Sequence, residues 1–242
     1  MARSSRAVNA QSELEPVLAK SFPWCVGWAA ELKRLFAAYV EAKQAQNVLD
    51  YDDLLLWWAQ MCAEPAISEH LGARFDHILV DEYQDTNRLQ ESILLALKPD
   101  GRGVTVVGDD AQSIYSFRAA EGRNILDFPH RFSTPARVVT LERNYRSTDA
   151  ILDAANAVIA EAQERFTKDL WTERRSAEKP LLVTVRDEAE QANYVADQVL
   201  EAREEGIALK HQAVLFRASH HSGPLEIELT RRNIPFVKFG GM

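Results

Sequence analysis

Residues 75–87 read Phe-Asp-His-Ile-Leu-Val-Asp-Glu-Tyr-Gln-Asp-Thr-Asn, an apolar run that stops abruptly at two adjacent carboxylates. The length and branching of residues 77–80 predict a buried strand of a parallel sheet. Asp81 and Glu82 then fall where that strand ends, and open α/β sheets bind ligands just outside the carboxyl ends of strands. Paired acids there suit a hard cation and a water: one carboxylate holds Mg²⁺ near phosphates and the other takes a proton. The same two acids also suit the start of a helix at Thr86 or Asn87, where side-chain oxygens cap exposed N–H groups. This stretch alone leaves both readings open.

Working outward, Val106-Val107-Gly108-Asp109-Asp110-Ala111-Gln112-Ser113-Ile114-Tyr115-Ser116-Phe117-Arg118 reads as a second strand end, then a polar turn holding two aromatics. Leu141-Glu142-Arg143-Asn144-Tyr145-Arg146-Ser147 is a third, with an aromatic beside a guanidinium. Between and beyond them the pattern alternates. Strands are expected at 77–81, 104–108 and 137–142, with helices at 87–97, near 121–128 and at 148–163. A less regular stretch follows, then strands at 181–185, 212–217 and 235–239 around helices at 187–204 and 222–232. Alternation of this kind implies parallel pairing with right-handed crossovers. Gly206 is placed to end its helix.

The first 74 residues read as helical. Trp28, Leu32, Leu35, Phe36, Tyr39 and Val40 recur at three- and four-residue steps and predict one long helix over about 24–46. Asp50 is the expected cap of a second, and Pro65 fits the first turn of a third. Aromatic stripes at helical spacing belong to cores, so Trp28, Trp57 and Trp58 are assigned no ligand.

Bulk properties narrow the class. With 242 residues, 46% of them hydrophobic and 26% charged, the chain can build one large or two modest globular cores. Cys25 and Cys62 stand far apart, which indicates neither a disulfide framework nor a zinc site. No apolar run reaches membrane-spanning length and the amino terminus has no signal-peptide core, so a cytoplasmic protein without membrane attachment is expected. The net charge of −8 argues weakly against a nucleic-acid partner, because a groove needs only local positive potential. Arg143 with Arg146, Arg174 with Arg175 and Arg231 with Arg232 are the modest basic clusters, and the last two suit solvated helix ends.

The three stretches, in this order, resemble the signature of superfamily 1 DNA helicases of the UvrD/Rep/PcrA type. Asp-Glu-x-Gln-Asp at 81–85 is similar to motif II. Gly-Asp-x-x-Gln-Ser-Ile-Tyr-x-Phe-Arg at 108–118 is similar to motif III, and Asn-Tyr-Arg-Ser at 144–147 to motif IV. The resemblance extends to Asp50–Leu55, to Val214–Ala218 and to Phe239-Gly240-Gly241, and so covers nearly the whole chain. The motif III arginine of the family is followed by glycine, where Ala119 stands here.

What the resemblance implies is an α/β fold. A helical subdomain at 1–74 would precede the partial first RecA-like motor domain at 75–147. The first part of a second RecA-like domain would occupy 148–242. The implied activity is that of an ATP-dependent 3′-to-5′ helicase acting on single-stranded DNA and duplex junctions. ATP and Mg²⁺ are the implied cofactors. Asp81 would hold the metal and Glu82 would deprotonate the attacking water. Gln112 would sense the γ-phosphate, Tyr145 would stack on adenine and Arg146 would reach the γ-phosphate. Tyr115 and Phe117 would stack on bases and Arg118 would contact a phosphate, although for Tyr115 a place in the core is as good a reading. Gln84 and Asp85 serve packing or ligand contact equally well. Lys168 and Trp171 fall where family members touch the strand, and domain packing is preferred for both.

None of the ten glycines begins the Gly-x-x-x-x-Gly-Lys-Ser/Thr loop that cradles a triphosphate. The chain is therefore expected to be an internal piece of a helicase, inactive alone and completed by the remainder of the same polypeptide. A helicase–nuclease motor, or a binding module that has lost its P-loop, are the competing readings.

Overall fold

A computed structural model describes residues 7–9, 11–114 and 123–239. The chain gathers into two compact units, Met1–Glu178 and Lys179–Met242.

In the first unit residues 7–9 are helical, followed by α1 (Leu14–Ser21), a 3-10 turn at Pro23–Trp28, and α2 (Ala29–Gln46). The single helix expected from residue 24 is thus two elements. Pro23 sits in the first turn and Trp28, at ψ 13°, breaks the α pattern before Ala29 resumes it. Asn47 closes α2 in the left-handed region at φ 53°, with its own N–H and that of Val48 bonded back to Gln44 and Lys43. This satisfies the last carbonyls of the helix. Asp50 caps α3 (Tyr51–Cys62) reciprocally with Asp53. Lys43 and Tyr39 of α2 reach the same Asp50 oxygen at 2.8 and 2.9 Å. The Asp50-x-x-Asp53 pattern is therefore a joint between two helices. Helix α4 (Pro65–Gly72) starts at its proline, as expected.

Strand β1 (Ile78–Val80) pairs in parallel with β2 (Val104–Val106), Ile78 opposite Val104 and Val80 opposite Val106. The crossover is α5 (Arg88–Leu97), capped by Asn87, whose side chain bonds the Gln90 amide at 2.9 Å while Gln90 returns the bond at 3.0 Å. Under the sheet, Tyr83, Leu94, Ile125 and Phe128 form the core with Ile78, Val80, Val104 and Val106. Ile125 comes from α6 (Arg123–Asp127). Glu91 is buried in that region but not alone, since Arg131 makes two bonds of 3.1 Å to it and Tyr83 donates its hydroxyl at 3.3 Å. Helix α7 (Asp149–Ala160) is the unit's last helix among the described residues.

The second unit packs α8 (Glu188–Glu204) on α9 (Gly223–Arg231) through Ala192, Ala196, Leu225 and Leu229. Asp187 caps α8, and Gly206 at φ 101° ends it. Arg231 and Arg232 are both paired with Glu228, and Arg232 also binds Asp197 and Asn193 of α8. The pair does stand at the helix end, as expected: the Arg231 side chain is exposed there, while that of Arg232 is largely covered and ties the two helices together.

The expected strands at 137–142, 181–185, 212–217 and 235–239 do not form ladders among the described residues. Leu182 is 94% exposed and Leu215 is 91% exposed. A strand is a property of a pair: apolar, branched sequence supplies the tendency, and only a neighbour about 4.8 Å away supplies the hydrogen bonds.

Candidate nucleotide site

The ladder runs past the formal end of the sheet. Val107 donates to the Val80 carbonyl at 2.8 Å and Tyr83 donates to the Val107 carbonyl at 3.0 Å. Those two bonds fix Asp81 and Glu82 beside Gly108 and Asp109. Glu82 itself has φ 50° and ψ 43°, left-handed values that a residue with a side chain adopts at some cost. The strand thereby turns sharply, and both acids sit at its mouth. Asp81 accepts the Glu82 amide at 2.9 Å. Neither acid caps α5, because Asn87 does so. The capping reading left open by the sequence is excluded by that geometry.

Gln84, only 1% exposed, joins the two strand ends. Its amide nitrogen donates to Glu82 at 2.6 Å and its oxygen accepts the Asp109 N–H at 3.0 Å. Gly108 makes this approach possible. A Cβ there would run into Gln84 Oε1 and lie 2.7 Å from Ile125 Cδ1 and 3.1 Å from the Tyr83 amide nitrogen. Asp109 then accepts the Ala111 amide at 3.0 Å and the Gln112 side-chain amide at 2.9 Å. Gln112, the expected sensor, is thus aimed by a carboxylate at the end of β2. The sequence leaves Gln84, like Asp85, open between packing and ligand contact, and the bond that shows its place is to a residue 25 positions away.

Lys168 binds Asp109 and, at 2.9 Å, Asp110. Burial alone would push the Asp109 carboxyl up, but the hydrogen bonds from Lys168, Gln112 and the Ala111 amide outweigh it and hold the group below the usual range. Burial likewise works against the Lys168 ammonium, and its two carboxylate partners more than offset that, raising it. The Phe166 amide donates to Asp110 at 3.1 Å. Nothing local announces these contacts, since partner and lysine lie 58 or 59 residues apart.

Around motif IV, the Asn144 side chain accepts the amides of Arg146 and Ser147 at 2.9 and 2.7 Å, folding the loop into a tight turn. The Arg143 guanidinium stands 5.0 Å from the Tyr145 ring centre and 5.3 Å from that of Trp171. Both distances are within cation–π range. Tyr145 is 72% exposed and Arg146 is exposed as well. Tyr115, Phe117 and Arg118, the expected DNA-facing residues, lie outside the described residues.

A shallow cleft of about 350 Å³ opens at the strand end, lined by Asp81, Glu82, Asp85, Thr86 and Gln90 among others. No group of three or more metal-ligating side chains occurs among the described residues. The donor set still fits Mg²⁺, which keeps several waters and takes one or two carboxylates plus substrate phosphates. Among the described residues no helix is long and apolar enough to cross a membrane.

Comparison with known proteins gives consistent matches. The family model of the UvrD/REP helicase N-terminal domain matches residues 25–133, and that of the UvrD-like helicase C-terminal domain matches residues 139–242. DNA helicase II of Escherichia coli (strain K12) is 37% identical over 211 residues, which are 87% of this chain and 29% of that protein. The ATP-dependent DNA helicase PcrA of Leuconostoc citreum is 38% identical over 210 residues, 86% of this chain and 28% of its own length. The PcrA protein of Staphylococcus aureus (strain NCTC 8325 / PS 47) is 34% identical over 208 residues. The chain therefore spans under a third of the length of the curated relatives it matches.

Proposed function

Because this chain belongs to the UvrD/REP helicase family, we propose that it is part of an ATP-driven motor that moves 3′ to 5′ along single-stranded DNA and opens duplex junctions. The observation that carries the proposal is the placement of Asp81 and Glu82 at one strand mouth, tied through Gln84 to the Asp109–Gln112 turn of the next strand. In this reading Asp81 holds Mg²⁺, which when bound offsets the charge of the nucleotide phosphates. Glu82 takes the proton of the water that attacks the γ-phosphorus as the bond to the β–γ bridging oxygen breaks. Gln112, a neutral amide, bonds the γ-phosphate or that water. The exposed face of Tyr145 receives the adenine and Arg146 meets charge on the transferred group. Tyr115, Phe117 and Arg118 are the strand-contacting set, close in sequence to Gln112. The domain boundary near Ser147 and the RecA-like assignment of both halves belong to the same proposal.

The test is made on the full-length protein with ATP, Mg²⁺ and single-stranded DNA. Glu82→Gln is expected to lower turnover by roughly 10²- to 10⁴-fold while nucleotide still binds, since general-base catalysis is lost and the metal site is kept. Asp81→Asn is expected to weaken Mg²⁺-dependent nucleotide binding as well. Undiminished hydrolysis in both variants contradicts the assignment of the acids. Unwinding of 5′-tailed in preference to 3′-tailed duplexes contradicts the direction.

A further inference from the structure

Lys168 is a long, charged side chain that leaves only 12% of its surface to solvent. A lysine that served a DNA phosphate would present its ammonium to a groove, whereas this one is turned onto Asp109 and Asp110. The segment carrying it is held at both ends. Phe166 donates its amide to Asp110 at 3.1 Å. Asp169 donates to the Glu142 side chain at 3.1 Å, Trp171 donates to the Glu142 carbonyl at 3.0 Å, and Asn144 donates to the Trp171 carbonyl at 2.7 Å. Asn144 is the residue that folds the motif IV turn, and the Arg143 guanidinium stands within cation–π range of both Tyr145 and Trp171. Residues 166–171 thus form a short strut. One end is pinned to the turn that aims Gln112, and the other is joined by a single parallel bridge, Arg143 to Trp171, to the loop that presents Tyr145 and Arg146.

We propose that Lys168 is a positioning residue: its ammonium, shared by Asp109 and Asp110, locks the Gln112 turn to the Tyr145–Arg146 loop through this strut. A group that reads the γ-phosphate and a loop that grips the nucleotide are thereby held in one geometry. The inference rests on the functional reading above, and without hydrolysis Lys168 has nothing to position. Three properties of the contact support it. Two carboxylates share one cation, which fixes the ammonium better than a single pair. The contact is largely desolvated, where charge–charge attraction is strong. Asp109 is also the acceptor of the Gln112 amide, so displacing one oxygen of that carboxylate disturbs the other.

The experiment compares Lys168→Met, Lys168→Arg and Glu82→Gln in the full-length protein. Methionine keeps most of the stem and removes the charge, whereas arginine can bridge two carboxylates in a different shape. Expected for Lys168→Met is a fall in kcat for DNA-stimulated ATP hydrolysis of roughly ten- to a hundredfold, the range a small misplacement produces. Single-strand affinity and its salt dependence should not change. Amide exchange should quicken together at Gln112, Phe166 and Asn144, and Lys168→Arg should recover part of the rate. Lys168→Met with a lowered melting temperature but wild-type kcat per folded molecule overturns the proposal in favour of a purely structural clamp. A weaker single-strand affinity with a salt slope reduced by about 0.7 overturns it in favour of a phosphate contact. Faster exchange at Phe166 alone, with Asn144 unaffected, also overturns it, because the strut then transmits nothing. If Glu82→Gln hydrolyses ATP as well as the wild type, the underlying functional reading fails, a result distinct from any of these.

Discussion

Replacing Gly108 with alanine tests the closeness of the two strand ends. The glycine is not needed for backbone conformation, since its φ lies outside the left-handed range; it is needed for space. The added methyl would collide with Gln84 Oε1 and press on Ile125 Cδ1 at 2.7 Å and on the Tyr83 amide nitrogen at 3.1 Å. Ile125 is in the core and the Tyr83 nitrogen is backbone bonded to Val107, so Gln84 is the group able to yield. If it moves, it gives up the 3.0 Å bond from Asp109 and the 2.6 Å bond to Glu82. Overpacking costs about 1–3 kcal/mol. A lost intramolecular hydrogen bond adds about 1 kcal/mol. With both bonds lost the expected cost is therefore about 3–5 kcal/mol, which for a unit of this size lowers Tm by about 6–20 °C. Thermal and urea melts of wild type, Gly108→Ala, Gln84→Ala and the double variant complete a cycle. With the glutamine side chain gone, the glycine substitution should cost about 1–2 kcal/mol less. A Gly108→Ala melt within about 1 °C of wild type, or an equal cost in both backgrounds, refutes the reasoning.

Phe117→Ala in the full-length protein should weaken single-strand binding by about 1–3 kcal/mol, one stacked base, with basal ATPase unchanged. A large fall in melting temperature at unchanged affinity would instead place that ring in the core. For Asp50, burial favours the neutral form, but bonds from Lys43, the Asp53 amide and Tyr39 outweigh it and hold the carboxyl at about 2. Because the folded value lies below the unfolded one near 3.9, this stabilisation is complete above roughly pH 4–5 and is lost as pH falls toward 2. The side chain is 32% exposed, so screening leaves an effect on the order of 1 kcal/mol. Urea midpoints from pH 7 to 2.5 should show Asp50→Asn losing less than wild type across that window; parallel curves count against the pairing.

Much of the scaffold was legible because its signals are local. Asp50 and Asn87 cap the helices that follow them, Pro65 opens a helix and Gly206 closes one, each from chemistry within three or four residues. The strand ending before Asp81 was legible from its branched apolar run, but its burial is only partial: Leu79 is 75% exposed, and the ladder needs Val104–Val106, far along the chain. What was not legible depends on partners far along the chain. Leu181–Val185 has the composition of a strand and no ladder among the described residues, since composition cannot supply a neighbour. The long helix expected from residue 24 gave way to a 3-10 turn because apolar periodicity continues across a change in helix type. Glu82 in the left-handed region has no signature in residue type, and the Lys168 clamp spans more than fifty residues. The candidate site was thus visible as a set of motifs, while the bonds that join the motifs were not.

The glycine at the end of β2 has a consequence for how the sheet assembles. Side chains alternate along both strands, so a slip of one residue would exchange every inward and outward face. It would also bring Val107 or Asp109 opposite Gln84, and either carries the Cβ that the gap cannot admit. A slip of two residues would restore the faces but not the gap. Gly108 therefore acts as an alignment mark: hydrophobic alternation checks the parity of the register, and the missing Cβ checks its position. The acids at the mouth of β1 come to stand beside Asp109 only in the one alignment that passes both checks.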